Sequence, residues 1–135
     1  MGILTFFLWP RYYSGIQKDQ FQTLVLLARL KQGLEAFNYE YGYFPTGNIV
    51  VLSSVLSGKN IGGQNLKEIR FLPDSSLQPI DSTGQILDFW GQPLRIEATN
   101  AETVAIFSFG RNRIDDGGRG DDIVVHAEPA PKQKP

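Results

Sequence analysis

Apolar residues recur at helical spacing through the first third of the chain and at strand spacing through the last third. From Gln17 to Tyr41, Leu24, Leu27, Leu30, Leu34, Phe37 and Tyr41 follow one another at steps of three and four, one stripe along a helix. Lys18, Asp19, Gln22, Arg29, Gln32, Glu35 and Asn38 lie mostly off that stripe. A lone helix of this length is marginal in water, so the stripe must pack on a sheet or on other helices. Gly42 and Pro45 end it, since glycine accepts the left-handed cap and proline cannot continue the helix. Tyr39, Tyr41, Tyr43 and Phe44 make the exit aromatic, either packed beneath a neighbouring loop or offered as a ligand platform. Asn48 caps a second, short helix over 48–56, although Ile49-Val50-Val51-Leu52 is β-branched enough to serve as a strand.

From Ser57 to Thr83 the chain is rich in Gly, Ser, Asn, Gln and Pro, with Gly62-Gly63, Pro73-Asp74 and Pro79 as punctuation. A segment of this kind is a functional loop or a packed surface loop. Leu94, Ile96 and Ala98 alternate with Arg95 and Glu97 as a half-exposed strand does. Thr103–Phe109 is the next strand, reached through a hairpin turn at Thr99-Asn100-Ala101-Glu102, and Ile123-Val124-Val125 is a third. Strands joined by short turns pair antiparallel. The expected architecture is α+β, a long N-terminal helix packed on a small antiparallel sheet. From Ala127 to Pro135 the chain is proline- and lysine-rich without core residues, the composition of a disordered tail.

Met1 to Trp9 is nearly all apolar and is followed by Pro10. It is too short to span a bilayer core, which takes about 20 helical residues. No basic region precedes it and Pro10-Arg11-Tyr12-Tyr13 is no cleavage site, so it makes a poor signal peptide. It reads as the last part of an apolar helix that begins upstream, or as a short helix tucked into the domain's own core. The chain thus divides into an apolar helical segment 1–16, a globular domain 17–126 and a tail 127–135.

The length of 135 residues suits one domain with a modest core. A net charge of -1 gives no electrostatic reason to expect nucleic acid as a partner. Cysteine is absent, which excludes disulfides, thiolate nucleophiles and cysteine-ligated zinc. The single histidine, His126, borders the tail, where no rigid scaffold would hold a Ser-His-Asp arrangement.

Candidate chemistry concentrates between Phe107 and Ile123. Asn112, Asp115, Asp116, Asp121 and Asp122 are interleaved there with Gly110, Gly117, Gly118 and Gly120. Carboxylates and amides among glycines are what calcium needs, because the oxygens ligate at about 2.3–2.6 Å while glycine lets the backbone bend around the ion. The same residue types also dominate ordinary turns, so a solvated turn is the competing reading. The spacing is not that of an EF-hand.

Three stretches together resemble the pseudopilins of type II secretion systems, nearest the major pseudopilin, within the wider type IV pilin group. G-I-L-T-F-F-L-W-P-R-Y (2–12) is similar to the middle of the pilin N-terminal helix. L-K-Q-G-L-E-A-F-N-Y-E-Y-G-Y-F-P-T (30–46) resembles the helix end and its exit. D-F-W-G-Q-P-L (88–94) resembles D-P-W-G-N-P-Y, and F-S-F-G-R-N follows at the family's distance like the S-x-G-x-D that opens its calcium loop. The matches cover roughly half the chain, in the family's order. In that register the family's prepilin-peptidase site and F-T-L-x-E start fall upstream of Met1. Asn112 stands where an aspartate is usual, the loop is one residue longer, and Arg111, Arg113 and Arg119 add positive charge. Arginine–aspartate pairs are the alternative to an ion there.

The resemblance implies a pilin-like fold and a filament subunit, not an enzyme. It implies self-association into a pseudopilus that assists secretion across the outer membrane, with other pseudopilins and the secretion machinery as partners. The N-terminal helix would sit in the bacterial inner membrane and the domain in the periplasm. Structural calcium would be held by Asn112, Asp115, Asp116 and Asp122, with Asp121 competing and a backbone carbonyl near Phe109 as a further ligand. Trp90 and Pro93 would pack beneath that loop. The rival reading is a calcium-dependent carbohydrate- or peptide-binding domain using the same loop; acid–base catalysis by Asp115, Asp116 or Asp122 has nothing else in the sequence to support it.

Overall fold

Good helix formers without an internal stop carry the first element, α1, unbroken from Gly2 to Tyr41. The computed structural model describes residues 2–72, 80–100 and 102–131, with side chains for 18–72, 80–97 and 102–131. The expected break between residues 16 and 17 is therefore absent from the backbone, which is helical across it. Met1, Pro73-Asp74, Pro79, Ala101 and residues 132–135 lie outside the described residues. Among the described residues no helix is long and apolar enough to cross a membrane.

The buried side of α1 is Thr23, Leu26, Leu27, Leu30, Leu34, Phe37 and Asn38. Leu24, expected in the stripe, is 45% exposed. Its place is taken by Thr23, and the reason is angular. At 3.6 residues per turn Thr23 lies about 20° from Leu30 around the axis, whereas Leu24 lies about 120° away. Gly33 is in the same side, and a Cβ there would come within 2.9 Å of Leu72. Glycine is normally unfavourable inside a helix; here it lets the loop side chain sit against the helix backbone.

The second helix, α2 (Ile49–Leu56), forms as expected. Asn48 is its N-cap and its Oδ1 accepts the Val51 amide at 3.0 Å. Leu52, Val55 and Leu56 are buried. Beyond it, residues 57–72 form an irregular but tightly bonded loop rather than an open one. Asn65, with no exposure, is its hub. Its Nδ2 donates to the carbonyls of Val55 and Ile69, both at 2.9 Å, while its Oδ1 accepts the Ile69 amide at 3.1 Å and the Tyr41 hydroxyl at 2.6 Å. A buried amide satisfied on both ends replaces the secondary structure that the loop lacks. The aromatic exit of α1 packs here: Phe37 has ring centroids of Tyr41, Phe71 and Tyr43 at 4.6, 5.4 and 5.5 Å.

After residue 80 a turn closes on Asp81, whose Oδ1 accepts from the Thr83 hydroxyl at 2.6 Å and the amides of Thr83 and Gln85 at 2.8 and 3.0 Å. The Thr83 hydroxyl first, then the Gln85 amide, hold this carboxyl below its ordinary 3.8. The turn is thereby stabilised above the unfolded value and loses that contribution as pH falls through the lower folded one.

Three strands follow: β1 (Arg95–Asn100), β2 (Thr103–Ser108) and β3 (Ile123–Ala127). They form one antiparallel sheet in the order β1-β2-β3. Leu94 stands just before β1, and Asn100 already pairs with Thr103, so the hairpin is tighter than expected. Ile96, Val104, Ile106, Ile123, Val125 and Ala127 face the core formed with Leu27, Leu30 and Leu34. Arg95, Glu97, Phe107, Val124 and His126 occupy the alternate positions on the other face. The architecture is α+β: a long helix against a small three-stranded antiparallel sheet. The expected disordered tail begins later than Ala127, which is fully buried in β3. Beyond it the Glu128 amide donates to Glu35 Oε2 at 3.1 Å and the Ala130 amide to Asn38 Oδ1 at 2.9 Å. Helix side chains thus supply the acceptors that a continuing strand would have found.

Asn65→Ala removes four bonds at once and leaves buried backbone groups unpaired, so we expect a loss of about 2–4 kcal/mol. Urea denaturation of the variant against the wild type measures it; a change below about 0.5 kcal/mol, the scale of a neutral surface substitution, would contradict the hub.

Candidate functional site

The acidic loop departs from the sheet at Ser108 and returns at Ile123, two residues paired across β2 and β3. Its base is fixed by Asp88, a carboxyl with no exposure. Asp88 Oδ1 accepts the amides of Trp90 and Gln92, both at 2.9 Å, which folds the D-F-W-G-Q-P turn around it. Its Oδ2 accepts the Ser108 hydroxyl at 2.8 Å. The Ser108 oxygen in turn accepts the Gly110 amide at 3.1 Å, the first step into the loop. Between these bonds the Phe89 amide donates to Thr23 Oγ1 of α1 at 3.1 Å, tying the turn to the helix. The two ends of the loop also meet. A Cβ on Gly110, whose φ is +75, would stand 2.0 Å from the Asp121 carbonyl oxygen, so only glycine allows this approach.

Within the loop the carboxylates organise the backbone. Asn112 Oδ1 accepts the Ile114 amide at 2.9 Å, and its Nδ2 donates to Asp116 Oδ2 at 2.7 Å. Asp122 Oδ2 accepts the amides of Asp116 and Gly118 at 2.9 and 3.0 Å. Asp122 Oδ1 is buried and has no partner. Asp115 uses both oxygens: Oδ1 accepts the Gly117 amide at 2.9 Å, and Oδ2 faces Arg95 Nη1 at 3.1 Å.

Of the five residues expected to ligate a metal, the fold brings Asn112, Asp116 and Asp122 together by direct bonds. Asp115 is drawn to the sheet by Arg95. Asp121 is exposed and lines a cleft of about 220 Å³ on the other side, with Gln20, Trp90, Arg111, Gly120, Asp122 and Ile123. Among the described residues no group of three or more aspartate, glutamate, histidine or cysteine side chains is set to hold a metal ion. What suits a cation is the donor chemistry and one specific atom, the buried and unpartnered Asp122 Oδ1. A buried acceptor without a donor is costly and normally has an ion or water to relieve it.

The expected arginine–aspartate pairing is present with a different arginine. Among the described residues Arg111, Arg113 and Arg119 form no ion pair with a loop carboxylate, whereas Arg95 does, and it also pairs with Glu97 at 2.5 Å. Sequence reading missed Arg95 because its reach depends on strand register, which pairs it with Phe107 beside the loop. It also gave no role to Asp88 and Ser108, although an aspartate two residues before Trp90 is the usual spacing of a side chain that closes its own turn. No protein-family model, curated protein or solved structure matches the chain.

Asp88→Ala should destabilise the protein by about 3 kcal/mol or more, since three donors lose their acceptor inside the core. Ser108→Ala, which removes one link only, should cost about 1 kcal/mol. Thermal and chemical denaturation of both variants check the order; equal losses would contradict Asp88 as the hub.

Proposed function

We propose that this chain is a filament subunit of the pseudopilin kind, acting in a type II secretion-like pseudopilus of the bacterial inner membrane and periplasm, with a calcium ion as the structural tie of its acidic loop. The observation that carries this reading is the division of labour along α1. The helix is continuous from Gly2 to Tyr41, yet its core side chains among the described residues lie only between Thr23 and Tyr41. At 1.5 Å per residue, about 30 Å of helix precedes Thr23, and a continuous helix cannot double back onto its own domain. The sequence of that part is apolar from Gly2 to Trp9, so its natural surroundings are lipid or copies of itself.

The α+β arrangement supports the reading, as does the way the D-F-W-G-Q-P turn holds the start of the loop through Asp88 and Ser108. Asn112, Asp116 and Asp122 are the side chains that would hold the ion. Bound there, calcium would supply positive charge that offsets carboxylate repulsion and closes the loop on the sheet. In a filament subunit that closure is mechanical, keeping β3 and the segment after it seated on α1. The cleft beside Trp90 is the one feature that favours the rival reading, a domain that uses the loop to read a carbohydrate or peptide.

The reading frame upstream of Met1 separates the two. A filament subunit requires an in-frame prepilin-peptidase site followed by F-T-L-x-E or its near equivalent. A stop codon in frame directly upstream would contradict the filament reading.

A further inference from the structure

Asp115 stands apart from the other loop carboxylates, and the residue responsible is on the sheet. Arg95 and Glu97 are two apart on β1 and so project from the same face. Glu97 Oε1 holds Arg95 Nη2 at 2.5 Å, which sets the guanidinium plane, and Nη1 then meets Asp115 Oδ2 at 3.1 Å. A guanidinium is charged at every accessible pH and presents its donors in a fixed fork, so one arginine can join two carboxylates. The second Asp115 oxygen is also engaged, by the Gly117 amide at 2.9 Å. To turn toward Asp116 and Asp122, Asp115 would have to give up both bonds. Asp122, by contrast, already has a buried oxygen with nothing bound to it.

Charge supports the same division. Asp116 and Asp122 together match the charge of one divalent cation, and Asp115 is matched by Arg95, whose second carboxylate, Glu97, orients it. We propose that Arg95 is a built-in counter-cation that withholds Asp115 from the metal, so that the loop's ion is held by Asn112, Asp116 and Asp122 alone. This rests on the calcium reading above and goes beyond it, because the loop's composition would enlist Asp115 equally. A consequence is that this loop keeps one lobe pinned to β1 whether or not calcium is bound, and Arg95 sets how much carboxylate charge the ion meets.

Isothermal titration with calcium chloride at 0.15 M KCl tests this on the full chain, with melting temperature in EGTA as the check that each variant is folded. Asp115→Asn and Asp115→Ser should bind calcium within about threefold of the wild type, whereas Asp116→Asn and Asp122→Asn should weaken it by about thirtyfold or more, since affinity follows the number of ligating charges. Arg95→Gln should tighten binding severalfold by releasing Asp115, and that gain should vanish in the Arg95→Gln/Asp115→Asn double variant, because the two act through one contact. A loss with Asp115→Asn as large as with Asp122→Asn would overturn the counter-cation role while leaving the calcium reading intact. A gain from Arg95→Gln that survives in the double variant would overturn it too, since the arginine would then act only as a distant charge. Absence of binding by the wild type would overturn the calcium reading itself, and this inference with it.

Discussion

A carboxyl with no access to solvent, Asp88, joins three parts of this protein that are far apart in sequence. It gathers the Trp90 and Gln92 amides into a turn and receives the Ser108 hydroxyl from the end of β2. The same turn is bound to α1 through the Phe89 amide and Thr23, and the Ser108 oxygen passes the connection on to Gly110. Helix, turn, sheet and loop therefore share one small hydrogen-bonded chain in a place where water cannot substitute for a lost partner. Because each link satisfies a group that would otherwise be buried and unpaired, the geometry of the loop's entrance is settled before the loop's own carboxylates arrange themselves.

That arrangement leaves the loop with two kinds of carboxylate. Asp115 is neutralised from the sheet, and Asp122 serves as a backbone acceptor on one oxygen while keeping the other idle and buried. An exposed arginine pair such as Arg95–Asp115 adds little to stability on its own. Its effect is positional, deciding which acidic groups remain for a cation. The opposite end of the domain uses neutral groups for a similar purpose: Asn65 stitches the irregular segment after α2 to Tyr41, and Asn38 and Glu35 accept the backbone that follows β3. A small sheet with a single long helix has few regular partners to offer, and side-chain amides and carboxylates complete the bonding.

Much of this was legible in the chain because it depends on local pattern. The stripe on α1, the Asn48 cap and the three strands follow from periodicity and cap chemistry, and each appears with boundaries shifted by a few residues. Leu24 and Thr23 exchanged roles because a step-of-three count does not fix the rotation of a helix against a sheet; the Phe89 amide does, by drawing Thr23 inward. The order of the segment after Ala127 was hidden because its acceptors, Glu35 and Asn38, lie on a distant helix. The acidic loop was conspicuous, but its internal division was not. Arg111, Arg113 and Arg119 are neighbours in sequence, while the arginine that pairs is set opposite Phe107 by strand register. Composition located the site, and long-range register chose its working residues.

The claim on which the rest turns is that the idle oxygen of Asp122 and its neighbours await a cation that ties the loop down. The most direct measurement is the melting temperature of the chain in EGTA and in excess calcium. A ligand present at 100 times its dissociation constant and bound only by the folded state adds about 2.7 kcal/mol. For a domain of this size that corresponds to a rise of roughly 5–15 °C. The account predicts such a rise with calcium and little response to potassium at equal ionic strength. An unchanged melting temperature across the calcium series would contradict it.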